Sequence, residues 1–235
     1  MKAGAYIKLL HRAWKYRFLT DRYEISYMMQ RITPGSVVFD IGAHKGGYTF
    51  WMKRAAGSKG RVIAFEPQEK GAALLAVLYP GIRVERLAVS DQCTTRPLHI
   101  QPQSYEVSFE ASLEKQYEGA VTEQVNTTTI DAYCRQHHLK PQFIKIDVEG
   151  HELAVLRGAC ETLRNDRPFL LIECEGRHAG RDGVEAVFTL LSSLDYKGYF
   201  FRNKQQLPVE QFSSEQYQVA GKTPYINNFV FEPSI

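Results

Sequence analysis

The run Val37-Val38-Phe39-Asp40-Ile41-Gly42-Ala43-His44-Lys45-Gly46-Gly47-Tyr48-Thr49 constrains the fold more than any other part of the chain. Three apolar residues lead into an aspartate, and glycines follow at once. A short buried strand here delivers Asp40 to its carboxyl end. Gly42, Gly46 and Gly47 let the backbone turn sharply and approach a ligand without side-chain obstruction. Tyr48 to Arg54 opens a helix. Strand, glycine loop and helix form the unit with which open α/β sheets hold nucleotide-like cofactors beyond their strand ends.

The glycine spacing narrows the cofactor. Dinucleotide folds use G-x-G-x-x-G and seat a pyrophosphate on the helix N-terminus. Here the spacing is D-x-G-x-x-x-G. That pattern resembles the first motif of S-adenosylmethionine (SAM) methyltransferases, whose cofactor carries no phosphate. A second strand, Arg61-Val62-Ile63-Ala64-Phe65, ends in Glu66, where a carboxylate can accept both ribose hydroxyls. The glycines alone are compatible with a tight turn, and Glu66 alone with a solvated strand end. Loop and acidic strand end together favour a cofactor site.

The order of elements supports an open α/β sheet. Residues 5–31 read as one or two helices, with Ala5, Leu9, Ala13 and Tyr16 at helical spacing and basic residues between them. Thr33-Pro34-Gly35-Ser36 breaks the pattern. The spacing then predicts strand 37–41, helix 47–56, strand 61–65, helix 69–78 and strand 82–89, an alternation that implies parallel strands with right-handed crossovers. After an interruption it resumes with a helix to about His137, capped near Thr129 or Asp131. Strand 142–147, helix 151–164, strand 169–174, helix 183–193 and strand 197–201 follow. A last strand spans 227–231, and residues 203–224 read as polar and irregular. The expected architecture is a mostly parallel seven-stranded sheet with one antiparallel edge strand and helices on both faces. Residues 1–32 form an N-terminal helical segment and 33–235 the main domain.

Residues 91–127 interrupt the alternation. They hold Pro97, Pro102, Ser104, Ser108, Ser112 and Gly119, with strand-like pieces at 97–101 and 123–128. This reads as a hairpin-like insertion with a mobile tip that faces substrate, since long connections inside compact domains are often functional.

The chain of 235 residues, 44% apolar and 23% charged, suffices for one large domain with a full core. A net charge of +3 does not by itself point to nucleic acid. No apolar run approaches the about 18 residues of a membrane span, and Lys8, His11, Arg12, Lys15 and Arg17 interrupt any signal-peptide core. Cys93, Cys134, Cys160 and Cys174 form no C-x-x-C pair and read as reduced thiols of a cytoplasmic protein.

A second constellation lies in Phe143-Ile144-Lys145-Ile146-Asp147-Val148-Glu149-Gly150-His151-Glu152. Alternation puts Lys145 and Asp147 on one side of a strand. Asp147 and Glu149 leave its carboxyl end, Gly150 permits the turn into a helix, and Glu173 with Glu175 ends the neighbouring strand at the same edge. Four carboxylates there are costly unless they bind a cation, share a proton or hydrogen-bond a ligand. His151 and Lys145 offset part of the charge. Singly, Lys145 could just pair with Asp147, and His151 and Glu152 could just start the helix.

The combination F-D-I-G-A-H-K-G-G-Y-T, A-F-E-P, L-A-V-S-D, F-I-K-I-D-V-E-G-H-E-L-A-V-L-R-G-A and L-L-I-E-C-E resembles the FkbM family of SAM-dependent methyltransferases over roughly residues 33–175. The resemblance implies a Rossmann-like methyltransferase fold and O-methylation of a hydroxyl on a sugar, glycan or secondary metabolite. It assigns cofactor contacts to Asp40, Gly42, Ala43, Gly46, Thr49, Glu66 and Ser90. His44-Lys45 departs from the asparagine and small or apolar residue common in the family, while leaving the loop backbone intact.

Methyl transfer from a sulfonium needs chiefly alignment, and a hydroxyl acceptor must also lose its proton. Asp147, Glu149 and Glu173 are the candidate bases, with His151 and Lys145 beside them. A divalent ion held by these carboxylates, magnesium for an all-oxygen site, is the other route. The carboxylates' further tasks in binding the cofactor's amino group and a polyhydroxyl acceptor favour the metal-free one. Rival readings are an RNA or protein methyltransferase and a non-catalytic binding module, the latter disfavoured by the intact loop. The basic N-terminal helix, with Trp14, Tyr16 and Phe18, suits a cap over the cofactor site, a homo-oligomer contact, a nucleic-acid partner or a membrane surface.

Overall fold

The computed structural model describes residues 3–101, 111–114 and 119–234. The chain begins with α1 (Ala3–Lys15), a π-helical turn (Tyr16–Thr20) and α2 (Arg22–Arg31). The cofactor half follows as β1 (Val37–Ile41), α3 (Gly47–Ala56), β2 (Arg61–Phe65), α4 (Glu69–Leu78) and β3 (Arg83–Glu85). The insertion contributes β4 (Ala88–Val89), β5 (Thr95–Ile100), β6 (Ala111–Ser112) and β7 (Val121–Thr128). The second half runs α5 (Ile130–His137), β8 (Phe143–Ile146), α6 (Glu152–Arg157), α7 (Cys160–Asn165), β9 (Phe169–Glu173), α8 (Gly176–Ala179) and α9 (Arg181–Ser193). It closes with β10 (Tyr196–Arg202), β11 (Gln205–Pro208), a 3₁₀ turn (Val209–Gln211), α10 (Ser214–Tyr217) and β12 (Asn228–Pro233).

Among the described residues the main sheet has eight strands in the order β11-β10-β12-β9-β8-β1-β2-β3. β3, β2, β1, β8 and β9 are mutually parallel. Side chains alternate across it. Phe39, Ile41, Phe65, Ile146 and Ile172 pack on the face covered by α5, α6, α7 and α9. Val38, Val62, Phe143 and Leu171 pack on the other, against Ile25 and Met28 of α2 and Trp51 and Met52 of α3. The β1–β8 boundary is where strand order reverses, and there an open α/β sheet leaves a crevice.

Four features differ from the sequence-based expectation. The expected antiparallel edge strand is present as β11, but a second antiparallel strand is internal: β12 lies between β9 and β10, antiparallel to both. Phe229, Val230 and Phe231 are all buried, and a continuous apolar run needs cover on both faces, which an edge does not give. The edge β11 is an eighth strand in the segment read as irregular, where Pro208 suits a strand with one open side. The strand expected over 82–89 splits, with β3 in the main sheet and β4 in a separate one. That second sheet, ordered β4-β7-β5-β6, has its own small core of Ala88, Leu98, Leu113 and Val125. The insertion is therefore a packed subdomain, while the expected tip, with Pro102, Ser104 and Ser108, lies outside the described residues.

The helix expected over 151–164 breaks at Gly158. A Cβ there would stand 2.2 Å from the Ser90 carbonyl oxygen, so this turn closes tightly on the Ser90 backbone. Asp131 then caps α7 from outside, accepting the Glu161 and Thr162 N–H groups at 3.0 and 2.8 Å. Thr129 is the cap of α5, accepting the Ala132 N–H at 3.0 Å.

Candidate active site

Two cavities open at the carboxyl ends of β1, β2, β8 and β9. The first, about 310 Å³, runs from Phe65, Glu66 and Gln68 past Ala88 and Val89 to Glu149 and Arg177. The second, about 240 Å³, lies between the glycine loop and the N-terminal helices and is lined by Arg12, Asp21, Asp40, Tyr48, Lys145 and Asn227 among others. Tyr16, Gly42, His44, Asp147 and Glu173 line both, so the cavities meet there.

The cradle is built by backbone. Gly42 and Ala43 donate their N–H groups to the Phe65 carbonyl, each at 3.0 Å, which ties the loop to β2. Gly42 has φ +75°, and a Cβ on it would sit 1.8 Å from the Asp147 carbonyl oxygen. Only glycine lets β1 and β8 part so closely around a ligand. Gly46 has φ +77° and is held by Tyr79, whose hydroxyl donates to its carbonyl at 2.5 Å.

Asp40 is buried. One carboxylate oxygen accepts the Thr49 hydroxyl at 2.5 Å, and the other, Oδ1, has no hydrogen-bond partner among the described residues. Burial raises its pKa, against the pull of Lys145. Glu66 accepts the His44 N–H at 2.8 Å and the Gln68 N–H at 2.9 Å, one on each oxygen. Burial pushes its pKa up to about 7 despite those two donors. A carboxylate has about four lone-pair sites, so two stay open towards the cavity, the number that a ribose diol needs.

Each carboxylate of the acidic edge has a polar or cationic neighbour. Lys145 donates to Asp147 at 3.0 Å and lies 4.9 Å from the centre of the Tyr48 ring. Burial lowers the Lys145 pKa, but Asp147, Asp40 and Glu173 more than offset that and hold it above the ordinary lysine value. Tyr48 donates onward to Asp21 at 2.9 Å. Glu149 has φ +52°, a left-handed backbone that is strained for a side-chain-bearing residue. That backbone brings its Oε2 2.9 Å from the buried Nε2 of His178. Glu173 is driven well above the ordinary carboxylate range by burial and by the facing Asp147. It accepts Asn227 Nδ2 at 2.7 Å. Glu175 accepts the same amide, the Tyr225 hydroxyl and Arg177. Among the described residues no three His, Cys, Asp or Glu side chains converge as a metal-ligand group.

Asp147, Glu149 and Glu173 therefore come together at the cavities, with Lys145 beside them. His151 lines the first cavity, but both ring nitrogens are engaged, Nε2 with Ser90 Oγ at 2.9 Å and Nδ1 with Glu114 Oε1 at 2.8 Å. Burial lowers its pKa despite Glu114. Thr49 and Ser90 lie one layer behind, holding Asp40 and His151. Glu152 is buried and closes the turn beneath Asp147, accepting the Gly150 and Val148 N–H groups at 3.0 and 3.3 Å.

Sequence reasoning missed Arg12, Asp21, Gln68, His178 and Asn227 as site residues. No local motif marks them. Gln68 and His178 follow closely on Glu66 and Glu175, whereas Arg12, Asp21 and Asn227 reach the site from segments distant in sequence.

Comparison with known proteins agrees with this geometry. Residues 40–201 match the methyltransferase FkbM domain. The hexuronic acid methyltransferase AglP of Haloferax volcanii is 27% identical over 189 residues, 75% of this chain and 70% of that protein. Among solved structures, the FkbM methyltransferase of Methylobacillus flagellatus superposes with a TM-score of 0.54 at 16% identity, covering 97% of this chain and 58% of that one. The O-methyltransferase of Bacillus cereus in complex with S-adenosylhomocysteine (SAH) gives 0.53 at 14% identity, covering 98% and 90%. The Cβ-free cradle, the unpartnered Asp40 oxygen and the half-open Glu66 carboxylate fit a cofactor with a ribose diol, an amino group and no phosphate. The chain belongs to the FkbM family of methyltransferases, and its cofactor is S-adenosylmethionine.

Proposed function

We propose that this enzyme methylates a hydroxyl of a sugar or related polyhydroxyl acceptor, with acidic sugars of the uronic class as first candidates. The observation that carries the reading is the junction of the two cavities at Gly42, Asp147 and Glu173. In this reading the first cavity takes the adenosine part, with Glu66 on the ribose and the apolar Ala88 and Val89 near the base. The second takes the amino-acid part, with Asp40 on the ammonium group and Arg12 facing the carboxylate. When bound, SAM supplies a methyl group already activated on sulfonium.

The chain's own residues then align and deprotonate the acceptor. Asp147, oriented by Lys145, and Glu149, oriented by His178, are the candidate acceptors of the hydroxyl proton. Glu173, which accepts the Asn227 amide at 2.7 Å, is the third candidate. A divalent ion on these carboxylates remains the competing route, and loss of activity in chelator with recovery in magnesium would favour it. Arg177 lines the first cavity paired with Glu175, and in this reading an acidic acceptor exchanges with that carboxylate for the guanidinium; the Haloferax relative is named for a hexuronic acid. Leu98, Ala111 and Leu113 line the first cavity from the insertion, so in this reading that part of the insertion packs towards the adenosine of the cofactor.

In this reading the N-terminal helical segment caps the cofactor site, which the packing of Tyr16 over Gly47 supports, where a Cβ would meet its ring at 2.5 Å. The four cysteines are unpaired, which suits a reducing compartment. No helix among the described residues is long and apolar enough to cross a membrane.

The test is methyl transfer from labelled SAM to neutral sugars, uronic acids, RNA and peptides in parallel. Label on a uronic acid or its glycosides supports the reading. Label on RNA or peptide with all sugars silent overturns it.

A further inference from the structure

The first 20 residues carry Lys2, Lys8, Arg12, Lys15 and Arg17 and neither an Asp nor a Glu. Helix α1 is anchored on one side only. Leu9 and Ala13 are buried, and Trp51 donates its indole N–H to the Ala13 carbonyl at 2.8 Å. Arg12 and Tyr16 turn to the second cavity. On the outer side Ile7, Trp14 and Phe18 are 65%, 53% and 50% exposed, and Leu19 beyond them 78%. Positions 7, 14 and 18 form one helical stripe. The Trp14 and Phe18 rings stack with centroids 4.9 Å apart, and the Arg17 guanidinium lies 5.5 Å from the Phe18 ring. Elsewhere among the described residues, large exposed apolar side chains are scattered singly.

We propose that this outward face of α1 and the π-helical turn seats the protein on an anionic lipid surface. An apolar stripe of aromatic and aliphatic residues flanked by Lys8, Lys15 and Arg17 is what an interfacial helix presents: the apolar groups enter the acyl boundary and the cations meet the headgroups. A twofold contact between two copies would set this cationic segment against itself with no acidic residue in it. A single-stranded nucleic acid would use the aromatics for stacking but leaves Ile7 and Leu19 with no role. Arg12 and Tyr16, on the inward side of the same helix, then hold the second cavity next to the bilayer.

The test uses the full chain and vesicles of phosphatidylcholine with or without phosphatidylglycerol. Of the two tryptophans Trp51 is buried, so Trp14 reports the stripe. Cosedimentation with the anionic vesicles and a blue shift of tryptophan emission are expected, the shift disappearing in Trp14→Phe. Partitioning should fall about 100-fold in Lys8→Gln/Lys15→Gln/Arg17→Gln, at about fivefold per cation. It should also fall in Trp14→Ser/Phe18→Ser, with SAH affinity intact in both variants. If the serine variant fails to fold, the glutamine variant, which alters the exposed Lys8 and Lys15 and the half-buried Arg17, carries the test. Three results would overturn the proposal. They are absent or equal partitioning into neutral and anionic vesicles, a concentration-dependent dimer in sedimentation velocity that buries Trp14, and RNA binding without vesicle binding.

Discussion

Replacing Glu66 by glutamine separates binding from folding. The carboxylate accepts the His44 and Gln68 backbone N–H groups at 2.8 and 2.9 Å and keeps about two lone-pair sites for the ribose diol. An amide turns one oxygen into a donor, so one ribose hydroxyl loses its acceptor and the other loses charge assistance. The loss is about 1.5–3 kcal/mol, or about 10- to 150-fold in SAH affinity.

The pH profile sharpens the test. Burial, with Asp40 and Asp147 nearby, pushes Glu66 up to about 7. The diol donates to the carboxylate, so affinity is full above that pH and declines as pH falls through it, by up to about tenfold per unit. The folding contribution has the opposite sign. A carboxyl whose folded pKa is raised stabilises the native state most below its ordinary range, and that contribution is lost as pH rises through about 7. Calorimetric titration of SAH across neutral pH, with a parallel melting curve, reads both. Glu66→Gln should give a weak, flat affinity profile and a melting temperature that falls less steeply towards neutrality, the remaining fall coming from Glu24 and Glu152. Glu152 also sits at about 7, but it serves the Gly150 turn, so Glu152→Gln should keep the binding slope. Affinity in Glu66→Gln within about threefold of wild type above neutral pH, or an unchanged slope, refutes the assignment.

Arg12→Met should weaken SAH about tenfold and leave 5′-methylthioadenosine, which lacks the amino-acid part, unchanged; equal loss for both would mean a folding defect. Gly42→Ala, with φ +75° and the Asp147 carbonyl 1.8 Å from the new Cβ, should abolish SAH binding and cost at least about 2 kcal/mol in denaturant titration. If Glu149 takes the proton, Glu149→Gln should lower turnover about 10²–10⁴-fold with SAH affinity held, whereas normal turnover removes it from the mechanism. Phe229→Ala, in the buried heart of β12, should destabilise by about 3–5 kcal/mol, measurable as a lower urea midpoint with unchanged m-value.

Sequence alone determined what depends on short-range rules. Side-chain periodicity marked β1, β2, β8 and β9, and the turn chemistry of glycine marked the cradle at Gly42 and Gly46. Strand ends bearing Asp40, Glu66, Asp147 and Glu173 followed, because an open parallel sheet collects its carboxyl ends on one edge. Tertiary structure decided what depends on proximity between distant segments. The place of β12 was set by which neighbours could bury Phe229 to Phe231 on both faces, and spacing carries no record of that. The splitting of 151–164 came from the Ser90 backbone pressing on Gly158 and from the Asp131 cap. The acidic edge is tolerable because Lys145, His178 and Asn227 reach it, and two of those three lie in other elements. Ser90 and Glu114 meet the two ring nitrogens of His151, which only their convergence in space could reveal. Local patterns are written in consecutive residues and survive in one dimension. Ion pairing, burial and cavity shape arise where the chain crosses itself, and there the folded structure decides.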